Sequence, residues 1–237
     1  LGRDAELAQM MRLLERALAG ERKTIFVTGE PGIGKTTIVQ QFLRQAAEIQ
    51  GLLVARGQCL EHYGSAEPYL PVLDGFSRLC RTPGGAQVVS VLRQHAPAWL
   101  VQMPSLVSQA ERESLRSQVA GSTSERMLRE MADAIETLTL QSPLLLVLED
   151  LHWSDYSTLD LLSFLARRRD DARLMVISTY RPVDVILNDH PLKRVKRELE
   201  AHRLCHELSL DYLSEEAVRE YLSVRFPGHD FPVRLQR

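Results

Sequence analysis

The chain has 237 residues, 44% of them hydrophobic and 25% charged, with a formal net charge of -2; these values fit a folded globular protein with a sizeable core and favour no polyanionic partner. Cys59, Cys80 and Cys205 lie far apart without a C-x-x-C spacing, which argues against a disulfide framework and a zinc site. No apolar run approaches the roughly 20 residues of a membrane span, and charges at Arg3, Asp4, Glu6, Arg12, Glu15 and Arg16 leave no signal peptide, so a cytoplasmic location without a membrane partner is expected.

In chain order, Leu7, Met10, Met11, Leu14 and Leu18 recur at helical spacing, predicting a helix over residues 4–18 with one apolar stripe. Residues 24–27 read as a short buried strand that runs into a glycine-rich loop, and a helix resumes at Lys35 and reaches about Ile49. A second strand is expected over 52–55 and a helix over 69–80. Prolines and glycines break residues 82–122 into short pieces, expected as a helical insertion on the core. A helix over 123–140, capped by Thr123 or Ser124, precedes Leu144-Leu145-Leu146-Val147-Leu148, a run apolar on every side that suits a strand covered on both faces. Helix 157–169, strand 174–178, helix 191–202 and strand 204–210 continue the alternation, which predicts a doubly wound parallel sheet with ligand sites at the carboxyl ends of its strands. A last helix over 214–225 opens on Ser-Glu-Glu and is expected to start a lid, dividing the chain into a core of 1–212 and a truncated helical domain of 213–237. The chain starts at Leu1 rather than Met and stops without a closing element, so it reads as part of something longer.

Three stretches carry chemistry. Gly29-Glu30-Pro31-Gly32-Ile33-Gly34-Lys35-Thr36 satisfies the P-loop pattern between a strand and a helix, the context that gives the pattern its meaning. Gly32 and Gly34 let backbone N–H groups turn inward around a phosphate, with Pro31 and Ile33 completing the loop, and Lys35 supplies a mobile charge. The Thr36 hydroxyl is placed for Mg²⁺, and Thr37 for the α-phosphate. Glu149 and Asp150 end the apolar run as a Walker B element; Glu149 is assigned to the metal and Asp150 to the attacking water, with the reverse assignment open. Arg181, in Ser178-Thr179-Tyr180-Arg181-Pro182 at the end of the next strand, is expected to touch the γ-phosphate.

Together with Leu1-Gly2-Arg3-Asp4 and Leu151-His152-Trp153-Ser154-Asp155, these motifs resemble the STAND class of AAA-related ATPases, and more narrowly the Orc1-like AAA modules of bacterial regulators. The resemblance covers nearly the whole chain. It implies a P-loop NTPase three-layer α/β sandwich, with a parallel sheet of order 5-1-4-3-2, and a base-binding role for Leu1, Gly2 and Arg3. The first Walker B acid departs from the aspartate of many members, and no Gly-Asn-Pro lid signature or sensor 2 arginine is present. The expected activity is that of a Mg²⁺-dependent ATP/ADP switch with slow hydrolysis, Lys35, Asp150 and Arg181 serving catalysis. Its expected partners are nucleotide, further domains beyond Arg237, a second copy in a nucleotide-dependent manner, and DNA only through an output domain outside this sequence. Competing readings are a non-hydrolysing assembly scaffold and an Orc-like DNA-associated ATPase.

Overall fold

The computed structural model describes residues 2–61 and 67–227. Five strands, β1 (Lys23–Thr28), β2 (Leu53–Gln58), β3 (Leu144–Glu149), β4 (Leu174–Tyr180) and β5 (His206–Ser209), form one sheet in the order β2-β3-β4-β1-β5. Every pairing is parallel. This is the expected order read from the opposite edge, and with helices on both faces it is the α/β sandwich of a P-loop NTPase.

Alternation along the strands feeds two cores, one per face. Leu145 and Val147 of β3 and Met175 and Ile177 of β4 meet α1 (Asp4–Leu18) and α2 (Lys35–Ala46) through Leu7, Met10, Leu14, Ile38 and Phe42. Leu144, Leu146 and Leu148, with Leu174 and Val176, face the other side. There they meet α3 (Leu70–Leu79), α7 (Ser124–Gln141), α8 (Tyr156–Arg167) and α10 (Leu192–Ala201) through Phe76, Ile135, Leu162 and Leu199. Each buried aliphatic or aromatic side chain contributes about 1.5–3 kcal/mol. Phe42, fully buried in α2, is a position where truncation to alanine would cost about 3–5 kcal/mol.

Residues 85–118 form α4 (Gly85–His95), α5 (Pro97–Val101) and α6 (Gln109–Gln118). They are tied to α7 by polar contacts inside the core: Trp99 Nε1 donates to the Met127 carbonyl at 2.8 Å, and the Ala98 N–H to Glu130 Oε2 at 2.9 Å. Thr123, Asp155 and Ser214 each cap a following helix by accepting an N–H three residues on. The last of these helices is α11 (Glu215–Arg225).

The sequence expectations differ from the structure in two places that matter. β2 runs on to Gln58, past the 52–55 segment, because its neighbour β3 offers a ladder partner for each residue through Glu149. After Arg181 the chain forms a short helix, α9 (Pro182–Leu187), which no periodic apolar stripe announces: Val183, Ile186 and Leu187 are all exposed. Among the described residues no helix is long and apolar enough to cross a membrane.

Candidate functional site

β1 delivers the chain into the glycine-rich loop at the carboxyl edge of the sheet. Gly32 and Gly34 have φ of +79° and +101°, and a Cβ built at either would meet nothing within 4 Å. Backbone conformation, rather than lack of space, therefore demands glycine here. Gly34 is the residue before α2, and the N–H groups of Lys35, Thr36 and Thr37 find no backbone or side-chain acceptor among the described residues. A row of free donors at a helix start is a phosphate cradle. Pro31 and Ile33 belong to the turn, where the Ile33 N–H donates to the Glu30 carbonyl at 3.3 Å.

Lys35 is buried, and its ammonium rests on the carbonyls of Gly29 and Glu30 at 2.8 and 2.9 Å. Burial, then the neighbouring Arg181 charge, hold its pKa below the ordinary lysine value. The cation is poised to gain by contact with an anion.

The opposite wall comes from β3 and β4. Asp150, directly after β3, is a non-glycine residue at φ +59°, a conformation aspartate tolerates better than most. Its N–H is anchored to Thr179 Oγ1 of β4 at 3.0 Å, and its carboxylate accepts from Gln58 Nε2 at 3.0 Å. Gly32, Gly34, Lys35, Thr36, Thr37, Asp150 and Arg181 line one crevice of about 260 Å³. Larger open cavities, of about 560 and 530 Å³, lie beside Tyr156 and Lys193 and beside Leu70 and Arg78. Chemistry rather than volume makes the crevice the candidate site.

Glu149 has a different address. As the last residue of β3 it projects to the α1–α2 face, in the alternation that buries Val147 there. Its carboxylate is 5% exposed, accepts from Arg56 Nε at 2.6 Å and forms an ion pair with the same guanidinium through Nη2. It does not line the crevice that holds Thr36 and Asp150. Sequence reasoning does not single out Arg56; polar side chains at alternate positions of the strand, Arg56 and Gln58, are the one signal that could have found it.

At the amino terminus, Gly2 has φ +72°, and a Cβ there would fall 2.4 Å from the Ala217 Cβ of α11. Arg3 pairs with Glu6 at 2.9 Å and donates to the carbonyls of Ile33 and Asp211. These two residues thus lie between the phosphate loop and the start of α11. Leu1 lies outside the described residues.

Beyond Asp150, the turn of residues 151–153 carries His152, whose side chain is wholly buried and whose pKa burial pushes down. Asp184 in α9 reaches both Arg181 and His152. The thiols of Cys59, Cys80 and Cys205 are free and pushed up by burial. No group of three His, Cys, Asp or Glu side chains with metal-binding geometry occurs among the described residues.

The donor set fits a nucleoside triphosphate: a glycine cradle, one buried ammonium and one guanidinium for the phosphates, and a hydroxyl and a carboxylate lining the same crevice, which would hold Mg²⁺. Comparison with known proteins agrees. Residues 1–177 match the AAA ATPase domain family. "Uncharacterized protein R02095" of Rhizobium meliloti (strain 1021) is 25% identical over 192 residues, covering 77% of this chain and 18% of that protein. Among solved structures, Drosophila ORC bound to AT-rich DNA and Cdc6 aligns over 88% of this chain and 53% of that one, at 12% identity and a TM-score of 0.45. The Walker-type ATPase PABY2304 of Pyrococcus abyssi aligns over 99% and 61%, at 16% identity and a TM-score of 0.44. This chain spans under a fifth of the curated relative's length. With three quarters of its residues matched and the phosphate loop at the carboxyl edge of a five-stranded parallel sheet, the chain belongs to the AAA ATPase domain family of nucleotide-binding ATPases.

Proposed function

We propose that the chain is the Mg²⁺-dependent, slowly hydrolysing ATP switch of a larger regulator, in the manner of STAND-class modules. The observation that carries this reading is the convergence of Lys35, Thr36, Asp150 and Arg181, from three strand ends, on one crevice. The loop N–H groups and Lys35 hold the β- and γ-phosphates, and Arg181 meets the negative charge that gathers on the γ-phosphoryl group during transfer. Bound Mg²⁺ supplies charge neutralisation and phosphate orientation, held by Thr36 and an acid. Because Arg56 occupies Glu149 and Asp150 faces the crevice, we assign that acid to Asp150, the reverse of the assignment made from the motif. Gly2 and Arg3, between the loop and α11, are the residues we assign to the base. The module's expected setting is a cytoplasmic protein with further domains, nucleotide-dependent self-association, and DNA contact only through a separate output domain.

A second reading, a nucleotide-binding scaffold without turnover, is favoured by Asp150 being the one carboxylate that lines the crevice among the described residues. Phosphate release by the full-length protein separates the two. The switch reading requires wild-type turnover that falls by about 10²–10³-fold in Asp150→Asn, which weakens the acid assigned to the metal. Nucleotide binding with no phosphate release in the wild type establishes the scaffold instead.

A further inference from the structure

Asp184 sits in the first turn of α9, three residues after Arg181. Its Oδ2 lies 3.5 Å from Arg181 Nη1 and 3.5 Å from His152 Nε2. Both contacts are longer than the roughly 2.7–2.9 Å of a close charge-assisted hydrogen bond. The carboxylate therefore accepts a long hydrogen bond from Arg181 and lies within reach of His152 without being bonded to it. The His152 ring is wholly buried, and neither of its nitrogens has a hydrogen-bond partner among the described residues; a buried polar group left in this condition gains from any acceptor that moves closer. Arg181, by contrast, lines the nucleotide crevice.

We propose that Asp184 is a positioning residue that competes with the nucleotide's terminal phosphate for the Arg181 guanidinium, with the buried His152 ring as its alternative partner. This rests on the reading that Arg181 faces that phosphate. A triphosphate draws the guanidinium into the crevice, and the Asp184 carboxylate then closes on the His152 N–H within reach. A diphosphate, lacking the terminal group, leaves the Arg181–Asp184 pair in place. Asp184 thus sets the preference for ATP over ADP, and His152 sets how readily the carboxylate lets go.

The test is calorimetric titration of the protein, with Mg²⁺, by ADP and by a non-hydrolysable ATP analogue. Asp184→Asn is expected to raise the triphosphate-over-diphosphate preference by about three- to fivefold, the range of a partly exposed ion pair. His152→Phe, which leaves Arg181 as the sole partner, is expected to lower it by about twofold. Both shifts vanish in an Arg181→Gln background, because a double-mutant cycle isolates the pair. An unchanged preference in Asp184→Asn overturns the proposal, as does a shift that persists without Arg181, which marks general repulsion of anions. Asp184 is partly exposed, so Asp184→Asn decides the matter even where His152→Phe lowers stability. The underlying readings fail differently: no binding of either nucleotide removes the nucleotide site, and equal triphosphate affinity in wild type and Arg181→Gln removes the role of Arg181.

Discussion

The two walls of the crevice are built from different materials. The phosphate loop is backbone: two glycines at positive φ and a helix start with free N–H groups. The facing wall is side chain, and each of its groups already has a protein partner: Asp150 has Gln58, Arg181 has Asp184, and the neighbouring Glu149 has Arg56. A backbone wall is fixed by the fold and recognises phosphate whatever lies opposite. A wall of partnered side chains can be retuned by changing a partner elsewhere, so on the proposed reading affinity rests mainly on the first wall and discrimination on the second.

The largest effect on this division is expected from Lys35→Ala, the one side chain the loop itself supplies to the phosphates. Nucleotide affinity should drop by about a hundredfold or more, as for truncation of one member of a buried charge pair. The circular dichroism spectrum should be unchanged, since Lys35 donates only to two carbonyls of its own loop. Retained affinity would mean that backbone alone suffices and would sharpen the contrast further.

Arg56→Ala should act on stability rather than on binding. It leaves the buried Glu149 carboxylate without its cation, a loss discounted because Arg56 is 36% exposed, and urea denaturation should show about 1–3 kcal/mol. If nucleotide affinity fell as much as stability did, Glu149 would belong to the site after all.

The smallest effect is on pH dependence. The Lys35 pKa lies below 10.5 in the folded state, so across the window from that lowered value up to 10.5 the unfolded chain holds the proton more tightly. The nucleotide-free fold gains stability as pH rises through that window. Nucleotide binding, which uses the ammonium, weakens over the same interval. Arg181→Gln removes one cause of the lowering and should move both limbs to higher pH in a titration.

The same contrast explains what could be read from sequence. Backbone requirements leave local marks: the glycines and Lys35 occur at fixed spacing, and the apolar run 144–148 is continuous because both faces of β3 are covered. Side-chain partnerships leave none. Arg56 and Glu149 are 93 residues apart, and only the register of β2 on β3 brings them together. Helix α9 is illegible for a related reason: with Val185 its only buried residue, six residues offer no stripe to detect. Whether Glu149 or Asp150 enters the crevice is undetermined by the motif, since it turns on the left-handed backbone at Asp150.

Arg3 joins distant parts of the chain in a way that bears on motion. One guanidinium spans the Ile33 carbonyl of the phosphate loop and the Asp211 carbonyl just before α11, while Gly2 lies directly against Ala217 of that helix. Residues 2 and 3 are placed as a latch between the two. For α11 to swing about residues 211–214, the latch must either travel with it, tugging on the loop that cradles phosphate, or open and release a largely buried cation. Either way, displacement of that helix would be felt at the phosphate loop through Arg3, without passing through the sheet.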